Sequence, residues 1–305
     1  MSFESDLSDI GDPAKHPAAT QLVNFSELDA IELERFREAW AEIDGSRRHL
    51  LITDFAELAG DNVDLNFDTI YKIALQDEEP ELRSAALQGL FEYEARDLIP
   101  VLSDLLRNDP DTGVRREAAI ALGRYALAAE LDKLAPDDVA RVREILFEGA
   151  EDLEEDEEVR GRAIEALGAI SGEETENLIE SIYQEDSMWL KIGAVDAMGR
   201  NCSPMWLPLI KREMESPAPE MRHAAAFAAG EIGEEEMVDD LKRMAVMDPD
   251  KEVQLVAVRS LGEIGGSQAK VALKAILFEG EDALEEAVQE AMGEIEFNED
   301  PLGSI

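Results

Sequence analysis

Residues 159–170 read Val159-Arg160-Gly161-Arg162-Ala163-Ile164-Glu165-Ala166-Leu167-Gly168-Ala169-Ile170. The skeleton is an apolar anchor, a basic residue at +1, alanines at +4 and +7, an apolar residue at +8 and glycine at +9. The same skeleton returns along almost the whole chain. With Val159 as the type position, the anchors are Arg47, Leu82, Val114, Val159, Leu190, Met221, Val253 and Leu284. Their spacings are 35, 32, 45, 31, 31, 32 and 31 residues. A period near 31 fits two short helices and two turns, so the chain reads as a helical solenoid. The one long interval places an insertion near residues 127–138. Arg47 is an atypical anchor, as a terminal unit allows.

Each anchor is expected to open the second helix of a pair. The +1 column reads Arg48, Arg83, Arg115, Arg160, Lys191, Arg222, Gln254 and Glu285. An arginine near a helix start can bridge to an acid or carbonyl of a neighbouring unit, which makes the column structural. The +9 glycines, among them Gly168, Gly199 and Gly230, would let adjacent helices approach closely. Asp77, Asp109, Glu154 and Asp248 stand five residues before an anchor, and Pro110 and Pro249 follow two of them. That order predicts an aspartate N-cap with proline at the first helical position. Gly172, Gly233 and Gly265 are expected to end second helices. The shorter first helices are expected around Phe67–Ala74, Leu98–Leu105, Leu178–Ile182, Leu207–Ile210 and Val238–Met244. Trp206 falls in a column with Phe67, Ile99 and Val238 and is assigned to the core.

The pattern Val/Leu-Arg-x-x-Ala-x-x-Ala-Leu-Gly-x-Ile, with Asp-Pro shortly before it, resembles HEAT-like repeats. It is most similar to the short type found in phycobilisome bilin lyases, and the resemblance spans about residues 45–296. It implies an all-α fold, a right-handed α–α superhelix of about eight helical pairs. Ahead of it, residues 1–25 read as a disordered acidic arm. Ser26 reads as the N-cap of a helix ending near Asp44-Gly45. Residues 297–305 read as a C-terminal tail.

The formal net charge is −43, from 71 acidic and 28 basic residues. A surface so acidic repels phosphate backbones and anionic bilayers, which argues against nucleic-acid and membrane partners. Aromatic residues are 6% of the chain, and alanine supplies much of the apolar content. One cysteine, Cys202, excludes an intrachain disulfide, and no secretory leader or apolar span is read, so a cytoplasmic protein is expected. The three histidines His16, His49 and His223 form no zinc spacing. The family's hydroxylases use His-Glu pairs to hold iron, and no His-Glu dipeptide occurs here. No cofactor, metal or catalytic residue is assigned.

Two features point to a partner. Met188-Trp189 fills the −2 and −1 columns, which elsewhere hold polar or small residues such as Pro80-Glu81, Pro219-Glu220 and Lys251-Glu252. The pair is therefore either exposed or tucked under the preceding unit's loop. Ile192 and Leu255, both at +2, extend its apolar character. The acidic run 148–158 carries Glu151, Asp152, Glu154, Glu155 and Asp156 as a candidate docking strip. The reading is a non-catalytic scaffold or adaptor that binds a basic or amphipathic protein on its concave face. The alternative is a bilin lyase-like enzyme subunit, or a chaperone for a cofactor-bearing client. Partner identity and oligomeric state are left open.

Overall fold

The computed structural model describes residues 3–12, 14–279 and 284–299. Every regular element among them is helical. The α-helices are α1 (Phe3–Gly11), α2 (Ala19–Leu22), α3 (Ala30–Glu42), α4 (Gly45–Asp61), α5 (Asp68–Ala74), α6 (Pro80–Gly89), α7 (Ile99–Asn108), α8 (Thr112–Glu130) and α9 (Pro136–Glu151). They continue as α10 (Glu157–Gly168), α11 (Glu173–Tyr183), α12 (Met188–Arg200), α13 (Leu207–Glu213), α14 (Pro219–Ile232), α15 (Val238–Met247), α16 (Lys251–Ile264), α17 (Gly266–Glu279) and α18 (Glu285–Glu299). The chain divides into two compact units, Met1–Ala121 and Leu122–Ile305.

In the second unit, the second helices stack in series: α10 on α12, α12 on α14, α14 on α16, and α16 on α18. Each also packs on its own first helix, as α11 does on α12 and α15 on α16. The first unit repeats the device with α4 on α6 and α5 on α6. The anchors point inward: Val114, Val159 and Leu190 are fully buried, and the atypical Arg47 is buried with them. The short alanine and glycine side chains allow backbone-to-backbone approach. A Cβ on Gly168 would stand 2.5 Å from the Ala197 carbonyl oxygen, and one on Gly193 2.5 Å from that of Gly161. Gly293, in the last helix, has nothing within 4 Å.

The +1 column ties unit to unit. Arg83 donates from Nε and Nη2 to both oxygens of Asp109, at 2.8 and 2.7 Å, and from Nη1 to the Asp77 carbonyl at 2.7 Å. Arg222 repeats this on Asp248, at 2.7 and 2.8 Å, and on the Ser216 carbonyl at 2.9 Å. Arg160 grips Glu185 at 3.1 and 2.7 Å. Where the column changes to Gln254, its amide still reaches the Asp248 carbonyl at 2.8 Å.

That ladder corrects the N-cap assignment. Asp109 and Asp248 follow α7 and α15 as their C-caps, and Pro110 and Pro249 lie in the linkers rather than at helix starts. Their carboxylates are held by the preceding unit's arginine and by the N–H two residues on, at 2.9 Å in both cases. The cap passes to the next acid: Asp250 accepts from Glu252 and Val253, and Asp111 from Val114. Gly233 and Gly265 do cap α14 and α16 with positive φ, whereas Gly172 precedes α11.

The segment expected as a disordered arm carries α1 and α2 among its described residues. Phe3, Leu7 and Ile10 recur on one face of α1, and Ile10, Leu22 and Phe25 are buried. Asp6, also buried, accepts from Gln21 and Asn24 at 3.2 and 2.8 Å. Arg47 donates to the Ile10 carbonyl at 3.0 Å, which gives the odd anchor its role. Too few apolar residues mark this segment for periodicity to find it. Asp29, not Ser26, caps α3, accepting from Ile31 and Glu32. The Ser26 hydroxyl accepts from the Asn66 N–H instead. The insertion is absorbed largely as helix: α8 runs 19 residues and α9 runs 16, against 12 for α10. The acidic run is loop only over 152–156, since Glu151 ends α9 and Glu157 opens α10. Of the expected tail, Phe297–Glu299 continue α18, and 300–305 lie outside the described residues.

Candidate functional site

The second unit carries an open groove of about 770 Å³ along its second helices. The face of α12 supplies Met188, Trp189, Ile192, Asp196 and Arg200. Steps of four residues put these side chains above one another on a helix. Arg162 and Glu165 come from α10, His223 and Phe227 from α14, and Glu252 from α16. Trp189 is 58% exposed and Met188 47%. The reason is local: Ser187 caps α12 and Leu190 turns fully inward, so the two preceding side chains project outward. Trp206, by contrast, is buried as expected, and its indole N–H donates to Asn201 at 3.0 Å.

The electrostatics centre on one carboxylate. Glu165 accepts from Arg162 at 2.7 Å and from Arg200 at 2.6 Å, so both guanidiniums are engaged by it. Asp196 has no hydrogen bond to its carboxylate among the described residues. Burial first, and the neighbouring charge of Glu165 second, push it up to about 7, against the pull of Arg162 and Arg200. Partial desolvation also lowers His223, outweighing the opposite influence of Glu252 and Asp250.

A raised carboxyl binds its proton more tightly folded than unfolded. Stability is therefore highest below the ordinary aspartate range and falls as pH rises towards about 7. Asp196→Asn should remove that loss. The variant is expected to match the parent at pH 4 and exceed it by about 1–3 kcal/mol at pH 8, with partial wetting of the groove holding the figure down. Urea unfolding at the two pH values checks this; equal stability at pH 8 would mean the carboxylate is well solvated.

The groove gathers Met188, Trp189 and Ile192 but not the other candidates. Leu255 is half-buried on α16, outside the lining. Glu151, Asp152, Glu154 and Asp156 are exposed on the α9–α10 connection, also outside it, and Glu155 there is half-buried. Asp156 is occupied as the α10 cap, and Asp152 accepts from the Glu154 N–H at 3.0 Å. The residues that sequence reasoning missed are Asp196, Phe227 and His223. The signal was present: Glu165, Asp196 and Phe227 all stand at +6 from their anchors, and His223 shares the +2 column with Ile192.

Residues 67–149 and 206–293, more than half of the chain, match the family model for HEAT repeats. The chain belongs to the HEAT-repeat family. Among solved structures, this HEAT-repeat protein is similar to the complex of CpcE and CpcF of phycocyanin lyase from Nostoc sp. PCC7120. That match has 16% identity and a TM-score of 0.55, and covers 93% of this chain and 96% of that one. Human deoxyhypusine hydroxylase in complex with glycerol matches at 16% identity over 96% of both chains, with a TM-score of 0.38. Importin beta matches at 14% identity over 96% of this chain and 46% of its own, with a TM-score of 0.46. At these identities the likeness is one of fold. A search of curated proteins returned no match. Among the described residues no helix is long and apolar enough to cross a membrane, and no cluster of His, Cys, Asp or Glu could hold a metal.

Proposed function

We propose that this HEAT-repeat protein is a non-catalytic scaffold that binds a protein partner in the groove of its second unit. The carrying observation is Trp189, left 58% exposed beside Met188, itself 47% exposed, in the groove of the second unit. Tryptophan ordered by its own backbone and open to solvent is the usual anchor of a binding surface, since it buries much apolar area at little entropic cost. Glu151, Asp152, Glu154 and Asp156 add a separate negative edge that would speed encounter with a basic partner rather than hold it.

Affinity purification from the native cell tests this with the parent, Trp189→Ala and Val271→Ala. Val271 is exposed on α17 and serves as an apolar control. Trp189→Ala is expected to weaken the partner by about 2 kcal/mol, roughly 30-fold, as for an interface anchor. Equal recovery by all three proteins would remove the groove from consideration. Reversing the acids of 151–156 should slow association and flatten its salt dependence while leaving dissociation unchanged. A lyase-like subunit would instead shift the visible absorbance of an added linear tetrapyrrole.

A further inference from the structure

We infer that the groove takes an arginine side chain from an extended segment of the partner, its guanidinium seated on Asp196 and its stem along Ile192. The inference rests on the groove being the binding site and adds what it recognises.

Charge is the first ground. Five carboxylates line the groove, those of Glu165, Asp196, Glu220, Asp250 and Glu252, against the guanidiniums of Arg162 and Arg200. Both arginines are already held by Glu165, and partial desolvation disfavours the charged form of His223. The site therefore carries an excess of negative charge in a chain whose net charge is −43. An anionic ligand is repelled, and a cation is drawn in.

The second ground is Asp196 itself. It lines the groove, and no donor reaches its carboxylate among the described residues. Arg162 and Arg200 lie near enough to lower its proton affinity, yet burial and Glu165 win. The carboxylate is half-buried, faces the open groove and is met by no protein donor among the described residues, so an incoming group can supply one in place of water. A guanidinium suits it best: two parallel N–H groups match two carboxylate oxygens, and the flat, weakly hydrated cation tolerates an apolar wall.

Spacing then sets the segment. Trp189 and Asp196 are seven residues apart on α12, about 10 Å along its axis at about 1.5 Å per residue. An extended chain covers that in about three residues at roughly 3.3 Å each. An apolar residue three positions from the arginine would lie against Trp189.

The test uses the full chain and a peptide probe, acetyl-Leu-Ala-Ala-Arg-Ala-Ala-Leu-amide, whose leucines flank the arginine at that distance in either direction. The control replaces arginine by citrulline, which keeps the shape and removes the charge. The Trp189 indole N–H resonance, identified by its loss in Trp189→Phe, reports binding; Trp40 and Trp206 are buried. The arginine peptide should bind at least about ten-fold more tightly than its citrulline counterpart, as expected for a charge-assisted pair. Asp196→Asn should bring the two together, with no loss of folding stability and no change in citrulline binding.

The pH dependence follows from every group facing Asp196: Arg162 and Glu165 of α10, Arg200 on its own helix, His223 and Glu220 of α14, and Asp250 and Glu252 at α16. Of these Asp196 changes charge at about 7 and His223 below its ordinary 6.5, so arginine-peptide affinity should rise about ten-fold from pH 6 to pH 8, chiefly through Asp196. In Asp196→Asn most of that rise should be lost, what is left coming from His223. Equal binding of the two peptides to the parent would overturn the arginine assignment and leave a purely apolar groove. No shift of the indole resonance by the arginine peptide at millimolar concentration would also overturn it. Trp189-dependent recovery of the native partner decides the groove reading separately.

Discussion

Gly193→Ala should destabilise the protein by about 3 kcal/mol, at the upper end of what overpacking costs. The same substitution at an open helical position stabilises by about 0.5–1 kcal/mol, because alanine loses less backbone freedom on folding. The sign reverses here because α10 and α12 meet backbone to backbone. A Cβ on Gly193 would stand 2.5 Å from the Gly161 oxygen, 2.8 Å from its Cα and 2.9 Å from its carbonyl carbon. None of those atoms can swing aside as a side chain would, so the helices must separate. Gly60→Ala in α4 is the control, since nothing lies within 4 Å of its Cβ position, and it should gain stability. Thermal unfolding separates the two: about 2–4 °C per kcal/mol, in opposite directions. A gain for Gly193→Ala would mean that the helices are further apart than described. The contact also bears on function, because α10 and α12 carry Glu165, Trp189 and Asp196.

Asp109→Ala should cost about 3–5 kcal/mol, the range for leaving one member of a buried ion pair alone. The side chains of Arg83 and Asp109 are 10% and 4% exposed, and the guanidinium spends two donors on this carboxylate. Truncation strands that charge and removes the acceptor for the Asp111 N–H as well. Arg83→Met combined with Asp109→Leu should recover much of the loss, because no buried charge remains uncompensated. Chemical unfolding of the two single variants and the pair completes the cycle. A cost under about 1 kcal/mol for Asp109→Ala would place the pair among solvent-screened surface bridges.

The repeat itself was legible because it rests on side-chain size and polarity, which the residue type alone declares. Anchors must be apolar and +9 residues small wherever helices stack, so Val159 with Gly168 and Leu190 with Gly199 announce the fold. The ladder was half legible: arginine at +1 is visible, but its partner Asp109 lies 26 residues on. Sequence order alone makes that aspartate look like a cap. The helical N-terminal segment was not legible, because its order comes from contacts distant in sequence, such as Arg47 with Ile10 and Ser26 with Asn66. Met188-Trp189 stood out as an exception to its column, which showed the place of the groove. Asp196 did not stand out, since an acid at +6 of a helix is ordinary until its neighbours are known to bury it.

Hydroxyl-radical footprinting of the free protein and of its complex with the recovered partner bears most directly on the central claim, that the Trp189 groove is the binding surface. Met247, 74% exposed at the end of α15, provides an internal reference. Trp189 and Met188 should oxidise readily in the free protein and become protected in the complex, while Met247 reacts equally in both. A complex in which Trp189 oxidises as fast as in the free protein would contradict the account.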